Sequence, residues 1–305
     1  MEDVTSAVTR AYALGEALGP LVYAARGELG RIWRLDTTGG SWAVKELLVP
    51  VEERDARADT AYQVAAAAAG VRLPRPRLTT DGAVLSGRFR VYEWVELVLG
   101  EEVTGAELGT VTAGLHRVPH PAGGPATPWF AEPVGRECWE ALAAAGGEWA
   151  PALGRLLPEL AALDALVVPP EPGSLVTCHR DLNLENVLRA ADDGGVVVLD
   201  WENCGPGRPS QELAKTLAGL PGDGAAGAYE AYLAADGPAR ITEPADFSMA
   251  IAEQGHLLEF YARRALSPEE PAENRSRARA RLATMLARPL TRARIDALLA
   301  AFGAR

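Results

Sequence analysis

Apolar and polar positions follow two different rhythms along this chain. Residues 3–18, from Asp3 through Leu18, carry apolar side chains at helical spacing and predict a leading helix. Between Leu21 and Val49 the period shortens to that of strands. Three are expected: Leu21-Val22-Tyr23-Ala24, Arg31-Ile32-Trp33-Arg34-Leu35, and Ser41-Trp42-Ala43-Val44-Lys45-Glu46-Leu47. Thr38-Gly39-Gly40 supplies a hairpin turn between the last two. Residues 51–69 return to a helical pattern, with Gly70 as the stop; Pro74 and Pro76 prevent its continuation. Two more strands are predicted near Ala83–Leu85 and Arg88–Trp94, giving the order β-β-β-α-β-β.

From about Val103 the pattern is mostly helical. Helices are expected at Glu107–Leu115, Arg136–Ala145 and Pro151–Leu166, and through most of the last hundred residues. A Pro/Gly-rich loop spans His120 to Pro128. Short apolar runs, Leu175–Cys178 and Val196–Leu199, bracket a polar loop. The expected class is α+β: residues 1–95 form a small antiparallel-sheet lobe with one helix, and residues 96–305 form a larger, mainly helical lobe.

Composition narrows the function. No run of eighteen or more apolar residues occurs, and the acidic start Met1-Glu2-Asp3-Val4 does not read as a signal peptide, so a cytoplasmic protein with no membrane partner is expected. The formal net charge of −11 argues against a nucleic-acid partner and is compatible with a cationic small molecule. Cys138, Cys178 and Cys204 are widely spaced and read as reduced structural thiols. The 30 Lys plus Arg include only two lysines, Lys45 and Lys215, and asparagine occurs only at 183, 186, 203 and 274. Where Arg serves for almost every surface cation, a retained lysine or asparagine marks a task its substitutes do not perform. Lys45, Asn183 and Asn186 fall inside candidate motifs. The run Arg275–Arg281 reads as a solvated helix face.

The central constellation is His179-Arg180-Asp181-Leu182-Asn183-Leu184-Glu185-Asn186, followed by Val196-Val197-Val198-Leu199-Asp200-Trp201-Glu202. It combines H-R-D-L-x-x-x-N with an Asp that ends an apolar strand. Phosphoryl transfer needs these types. A carboxylate such as Asp181 aligns an alcohol and accepts its proton. Magnesium prefers hard oxygens and needs few from protein, here the amide oxygen of Asn186 and the carboxylate of Asp200. His179 reads as an internal brace. Upstream, Gly27-Glu28-Leu29-Gly30 lies between two strands, where glycines let backbone approach phosphate. Lys45, in Ala43-Val44-Lys45, can neutralise the α/β-phosphates. Its acidic partner is expected from the next helix, among Glu52, Glu53, Asp55 and Asp59, with Asp59 at the expected distance before Gly70. Arg90 to Val95 reads as a strand entering a hinge, where the backbone of Glu93 and Val95 can hydrogen-bond an adenine edge.

These residues resemble the aminoglycoside phosphotransferase family, which also includes choline and homoserine kinase relatives, over about Leu21 to Leu217. The resemblance implies a bilobal protein-kinase-like fold, ATP or sometimes GTP as donor, two magnesium ions and a small hydroxylated acceptor. It implies Asp181 as catalytic base, Asn186 and Asp200 as metal ligands, and Lys45 as the phosphate-binding lysine. Asp200-Trp201-Glu202 resembles the D-W-E variant of the family, with Glu202 either at the metal site or behind it. Glu212 stands where relatives often have Asp and reads as a brace.

A protein kinase would carry a long segment and Ala-Pro-Glu after the metal Asp; here an expected helix follows within about a dozen residues. A nucleotide-binding pseudokinase would have lost Lys45, Asp181, Asn186 or Asp200, and all four are present. Within the kinase reading, antibiotic and metabolite acceptors both remain. Glu253, His256 and Glu259 offer either acids for a cationic acceptor or an exposed helix face.

Overall fold

The computed structural model describes residues 2–98, 100–220 and 223–303. The chain opens with α1 (Glu2–Ala11), then β1 (Val22–Arg26), β2 (Gly30–Thr37), β3 (Gly40–Leu47) and α2 (Glu53–Ala68), followed by β4 (Pro76–Arg77) and β5 (Phe89–Glu93). These strands form one antiparallel sheet in the order β1-β2-β3-β5-β4. Thr37 faces Gly40 across a two-residue turn at Thr38 and Gly39. The leading helix is shorter than the pattern predicts. Ala13 and Gly15 both adopt positive φ, which a helix cannot propagate through. A Cβ at Gly15 would meet the Thr38 hydroxyl at 2.5 Å, so the chain passes tightly under the hairpin.

The expected strand at Ala83–Leu85 does not form. The amides of Val84 and Leu85 donate instead to the carboxylate of Glu53, at 2.9 and 3.0 Å. The edge of the sheet is taken by Pro76–Arg77. An edge suits proline, which has no amide to give to a ladder.

The remaining elements are β6 (Leu97–Val98), α3 (Gly105–His116), α4 (Pro128–Ala131), α5 (Arg136–Ala144), α6 (Ala150–Asp164), β7 (Val176–Cys178), β8 (Val187–Ala190), β9 (Val196–Val198), β10 (Gly205–Gly207), α7 (Pro209–Ala218), α8 (Gly224–Ala234), α9 (Ser248–Leu266), α10 (Ala272–Ala287) and α11 (Arg292–Gly303). Thr104 caps α3 through a reciprocal capping box with Glu107. Helices α3 and α8 cross very closely, because Gly109 leaves room for the Ala228 carbonyl; an added Cβ would lie 2.0 Å from it. Two small ladders, β6-β8-β9 and β7-β10, hold the polar loop between them. No helix among the described residues is long and apolar enough to cross a membrane.

Three apolar clusters organise the molecule. One joins α1 to the sheet through Val8, Tyr12, Leu35, Val44 and Val91. A second packs α5, α6, α9 and α10 around Trp139 and Leu258. The largest lies in the helical region and also recruits Tyr62 and Ala66 of α2. Tyr62 meets Trp201 edge to face at 5.7 Å, and its hydroxyl donates to the Leu115 carbonyl at 3.3 Å. Helix α2 therefore belongs by packing to the helical region, although it lies within the sheet segment of the sequence. This determines where its acidic side chains go.

Candidate active site

Strand β7 delivers the chain into the loop His179–Asn186, and β8 carries it away. The hairpin β8–β9 then places Asp200 beside that loop. Two non-glycine residues here, Arg180 (φ 64°) and Asp200 (φ 59°), adopt left-handed backbone. Such positions cost free energy and persist only where surroundings fix them. His179 does part of the fixing. Its Nε2 donates to the Leu199 carbonyl at 3.1 Å, and its Nδ1 accepts from the Asp181 amide at 3.3 Å. Burial lowers its pKa, which keeps the ring neutral and preserves that tautomer. His179 is a brace, as its position suggested.

Arg180 points inward. Its guanidinium donates to the carbonyls of Asn203 (2.6 Å) and Cys204 (3.1 Å) and lies over Phe130, 4.4 Å from the ring centroid. A Cβ at Gly205 would stand 2.5 Å from that guanidinium, so the missing side chain leaves it room. The Arg180 amide donates to Glu212, whose other oxygen meets His116 Nε2 at 2.9 Å. Burial raises the Glu212 carboxyl, but His116, His179 and the Arg180 amide outweigh it and hold it down at about 2. Glu212 is thus an ionised brace beneath the loop.

Asp181 is half-buried. Its carboxylate accepts from the amides of Asn183 (3.3 Å) and Asn203 (3.2 Å), and the Lys215 ammonium stands 3.7 Å away. Its carbonyl accepts from Asn186 Nδ2 at 2.8 Å, a bond that does not use the Asn186 Oδ1. Asn183 Oδ1 accepts from the amides of Glu185 and Asn186 and closes the turn.

Lys45 reaches across from β3 to sit between two carboxylates, 2.9 Å from Asp200 and 2.7 Å from Glu202. Burial alone would lower the ammonium; Glu202 and Asp200 outweigh it and raise it instead. Burial and the bond to Glu202 push Asp200 up, to about 7, against the pull of Lys45. Burial also raises Glu202, but Lys45, Asp200 and Arg90 together hold it well below the usual carboxylate range.

The expected partner of Lys45 is corrected by this arrangement. Asp59 of α2 pairs with Arg90, at 3.4 Å, and Arg90 in turn lies 3.7 Å from Glu202. Because α2 packs against the helical region, its acid meets the buried Arg90 of β5 and not the lysine. Glu202, whose role the sequence left open, fills the place of the lysine's partner.

The glycine turn also divides in function. The Gly27 amide donates to the Gly30 carbonyl at 2.9 Å and closes the turn, so it is not free for a phosphate. A Cβ at Gly30 would stand 2.9 Å from Lys45 Cε, so the missing side chain makes room for the lysine. At the hinge, the Glu93 amide is spent on the Arg75 carbonyl. Among the described residues, its carbonyl and the Val95 amide have no backbone partner.

Two expectations about the C-terminal helices change. Arg277 does not face only solvent: it reaches Glu28 at the tip of the glycine turn at 3.3 Å, and Arg264 reaches the same carboxylate at 2.9 Å. Arg26 is held by Glu273 and by Asn274, the latter at 2.7 Å. Arg281 lies 3.6 Å from Glu185 of the catalytic loop. Of the α9 residues, Glu253 pairs with Lys215 at 3.1 Å and His256 stacks on Trp129 at 5.2 Å, so neither lies on an exposed face. Asn203, Lys215 and Arg90 escaped the motif reading. The scarcity of Asn and Lys was the signal for the first two.

The donor set suits a divalent cation and a polyphosphate. Lys45, Arg90, Asp59, Asp200 and Glu202 together carry one more negative than positive formal charge, and the side-chain oxygens of Asn186 and Asp200 are hard donors. A profile of the phosphotransferase enzyme family matches residues 22–248. No curated protein matches the chain by sequence. Solved structures do resemble it. Spectinomycin phosphotransferase in complex with ADP and spectinomycin aligns at TM-score 0.69 and 14% identity, over 98% of each chain. The macrolide 2′-phosphotransferase of Brachybacterium faecium aligns at 0.57 and 20% identity, over 96% of this chain and 100% of that one. Choline kinase of Streptococcus pneumoniae aligns at 0.57 and 13%, over 94% and 98%. Likeness at these identities establishes the α+β kinase-like fold.

Proposed function

The chain belongs to the phosphotransferase enzyme family, and on that premise we propose that it moves the γ-phosphate of ATP to a hydroxyl of a small molecule, with Asp181 as the base. The observation that carries the reading is two linked pairs: Asn186 bonded to the Asp181 carbonyl on the loop, and Lys45 paired with Asp200, whose neighbour Leu199 donates its amide to the Asn186 carbonyl at 2.8 Å. Asp181 accepts the acceptor's hydroxyl proton as the oxygen forms its bond to phosphorus and the bond to ADP breaks. Asn183 and Asn203 hold the carboxylate in place for that transfer. Lys45 meets the α/β-phosphates, and Glu202 keeps its ammonium at that position. The Glu93 carbonyl and the Val95 amide receive the adenine edge; Gly30 contributes by leaving room for Lys45. Asn186 and Asp200 would hold magnesium, which would neutralise charge on the phosphates. GTP is a variant donor to be compared directly.

The acceptor class proposed is a hydroxylated antibiotic, with a choline- or homoserine-like metabolite as the alternative. Spectinomycin and macrolide phosphotransferases among the structural relatives favour the former. Choline kinase keeps the latter in view. The test is a phosphorylation panel of spectinomycin, aminoglycosides, macrolides and hydroxylated metabolites with MgATP, read by mass spectrometry. A mass gain of one phosphoryl group should appear with wild type and vanish with Asp181→Asn, while nucleotide binding survives. Transfer at the wild-type rate by Asp181→Asn would refute the assignment.

A further inference from the structure

Lysine survives at only two positions of this Arg-rich chain, and both lie in the cleft. Lys45 is accounted for by the phosphates. Lys215, on α7, is not. Its side chain is 8% exposed, and its Nζ donates to the Arg180 carbonyl at 2.6 Å. The same nitrogen lies 3.1 Å from Glu253 on α9 and 3.7 Å from the Asp181 carboxylate. Three oxygens thus surround one ammonium: a loop carbonyl, the base itself and a helix carboxylate. An ammonium offers three donors around a single point, whereas a guanidinium spreads its donors over a planar fork. The site therefore demands lysine in a chain that otherwise uses arginine.

The location on α7 adds a second constraint. Glu212 and Lys215 lie three apart on that helix and share a face. Glu212 accepts the Arg180 amide, and Lys215 donates to the Arg180 carbonyl. One helix therefore grips both polar ends of the residue that precedes Asp181, the one whose backbone is left-handed. Burying a cation is costly unless its anions are in place. Glu253 could supply that pairing alone; the approach to Arg180 and Asp181 goes further.

We propose that Lys215 is a positioning residue for phosphoryl transfer, fixing the Arg180 carbonyl and the Asp181 carboxylate in the orientation that meets the acceptor hydroxyl, with Glu253 holding the ammonium in place. The inference rests on Asp181 being the base. It separates Lys215 from nucleotide binding, since its contacts are with Arg180, Asp181 and Glu253 and with none of Lys45, Asn186 or Asp200.

Lys215→Met alone would leave Glu253 buried without its cation, so the decisive variant is Lys215→Met/Glu253→Gln, compared with wild type and Asp181→Asn. The probe is MgATP turnover with water as acceptor, measured as ADP release over a range of ATP concentrations. Binding of a fluorescent ATP analogue and thermal melting are measured alongside. The double variant should lose roughly tenfold or more in kcat, with KM for ATP and analogue affinity within about twofold of wild type. A merely structural role would move kcat, KM, affinity and Tm together, and that result overturns the proposal. So does a double variant that turns over within about twofold of wild type while Asp181→Asn is inactive; the base assignment then stands and only Lys215 is misjudged. If wild type shows no turnover, or Asp181→Asn equals it, the reading of the cleft fails and takes this inference with it.

Discussion

Gly30→Ala should weaken MgATP binding by roughly tenfold, and the reason lies in the lysine above it. A methyl group at this position would stand 2.9 Å from Lys45 Cε and 3.3 Å from the Glu46 carbonyl. Carbon atoms in contact prefer about 3.5–4.0 Å, so the lysine must retreat by about 0.9 Å. Its ammonium is held 2.7 Å from Glu202, and a phosphate oxygen would be met at a similar distance. Lengthening such a contact to about 3.6 Å, at an effective dielectric near 20, loses about 1.5 kcal/mol. That is roughly a factor of ten in affinity. Gly27→Ala provides the contrast, because the nearest atom to its Cβ is the Gly30 carbonyl at 3.9 Å. Titrating each variant with a fluorescent ATP analogue in the presence of magnesium measures both effects. Equal weakening by the two substitutions, or none from Gly30→Ala, would refute the claim that this glycine acts through Lys45.

Other consequences are open to direct measurement. The Glu212 carboxyl is held at about 2 in the fold against an ordinary 4.5, so its contribution is fully present above pH 4.5 and is lost as pH falls toward 2. It amounts to about 3 kcal/mol at neutral pH; urea denaturation should show Glu212→Gln less stable than wild type by about that much at pH 7, with the gap closing in acid. Gly109→Ala drives a Cβ to 2.0 Å from the Ala228 carbonyl, and should cost about 3 kcal/mol by forcing α3 from α8, visible as a fall in Tm of roughly 5 °C or more. Glu28→Gln removes the contacts to Arg264 and Arg277, each worth about 0.5–1 kcal/mol. Hydrogen exchange at residues 27–30 should quicken in that variant at low salt, and in wild type on raising salt, since half-exposed pairs are screened.

The geometry of the loop 179–186 was largely legible because its contacts are local. His179, Asp181 and Asn186 are separated by a few residues on one loop, and Asp200 is reached by a short hairpin, so spacing alone brings them together. The partner of Lys45 was not legible, because it depends on packing. Asp59 is the right distance from Gly70, yet burial of Tyr62 and Ala66 against the helical region turns α2 so that Asp59 meets Arg90. Arg90 lies within a strand, and nothing in its sequence neighbourhood signals that it is 1% exposed and paired. The missing strand at Ala83–Leu85 has a similar origin: Glu53, 31 and 32 residues upstream, satisfied the amides of Val84 and Leu85. The Arg275–Arg281 run looked solvated because its counter-charges, Glu28 and Glu185, lie far away in sequence. Residue scarcity carried more than periodicity here, for Asn203 and Lys215 were marked only by how few of their kind the chain retains.

The family profile ends at residue 248, where α9 begins. Yet α9 and α10 supply Glu253 behind the base and the arginines that tether the glycine turn. Residues 22–248 carry the family's shared pattern, and the matched solved structures follow this chain's fold through its last helices as well, over up to 98% of its length. A substitution in those last helices therefore reaches Lys215 and the glycine turn without touching Lys45, Asn186 or Asp200 themselves.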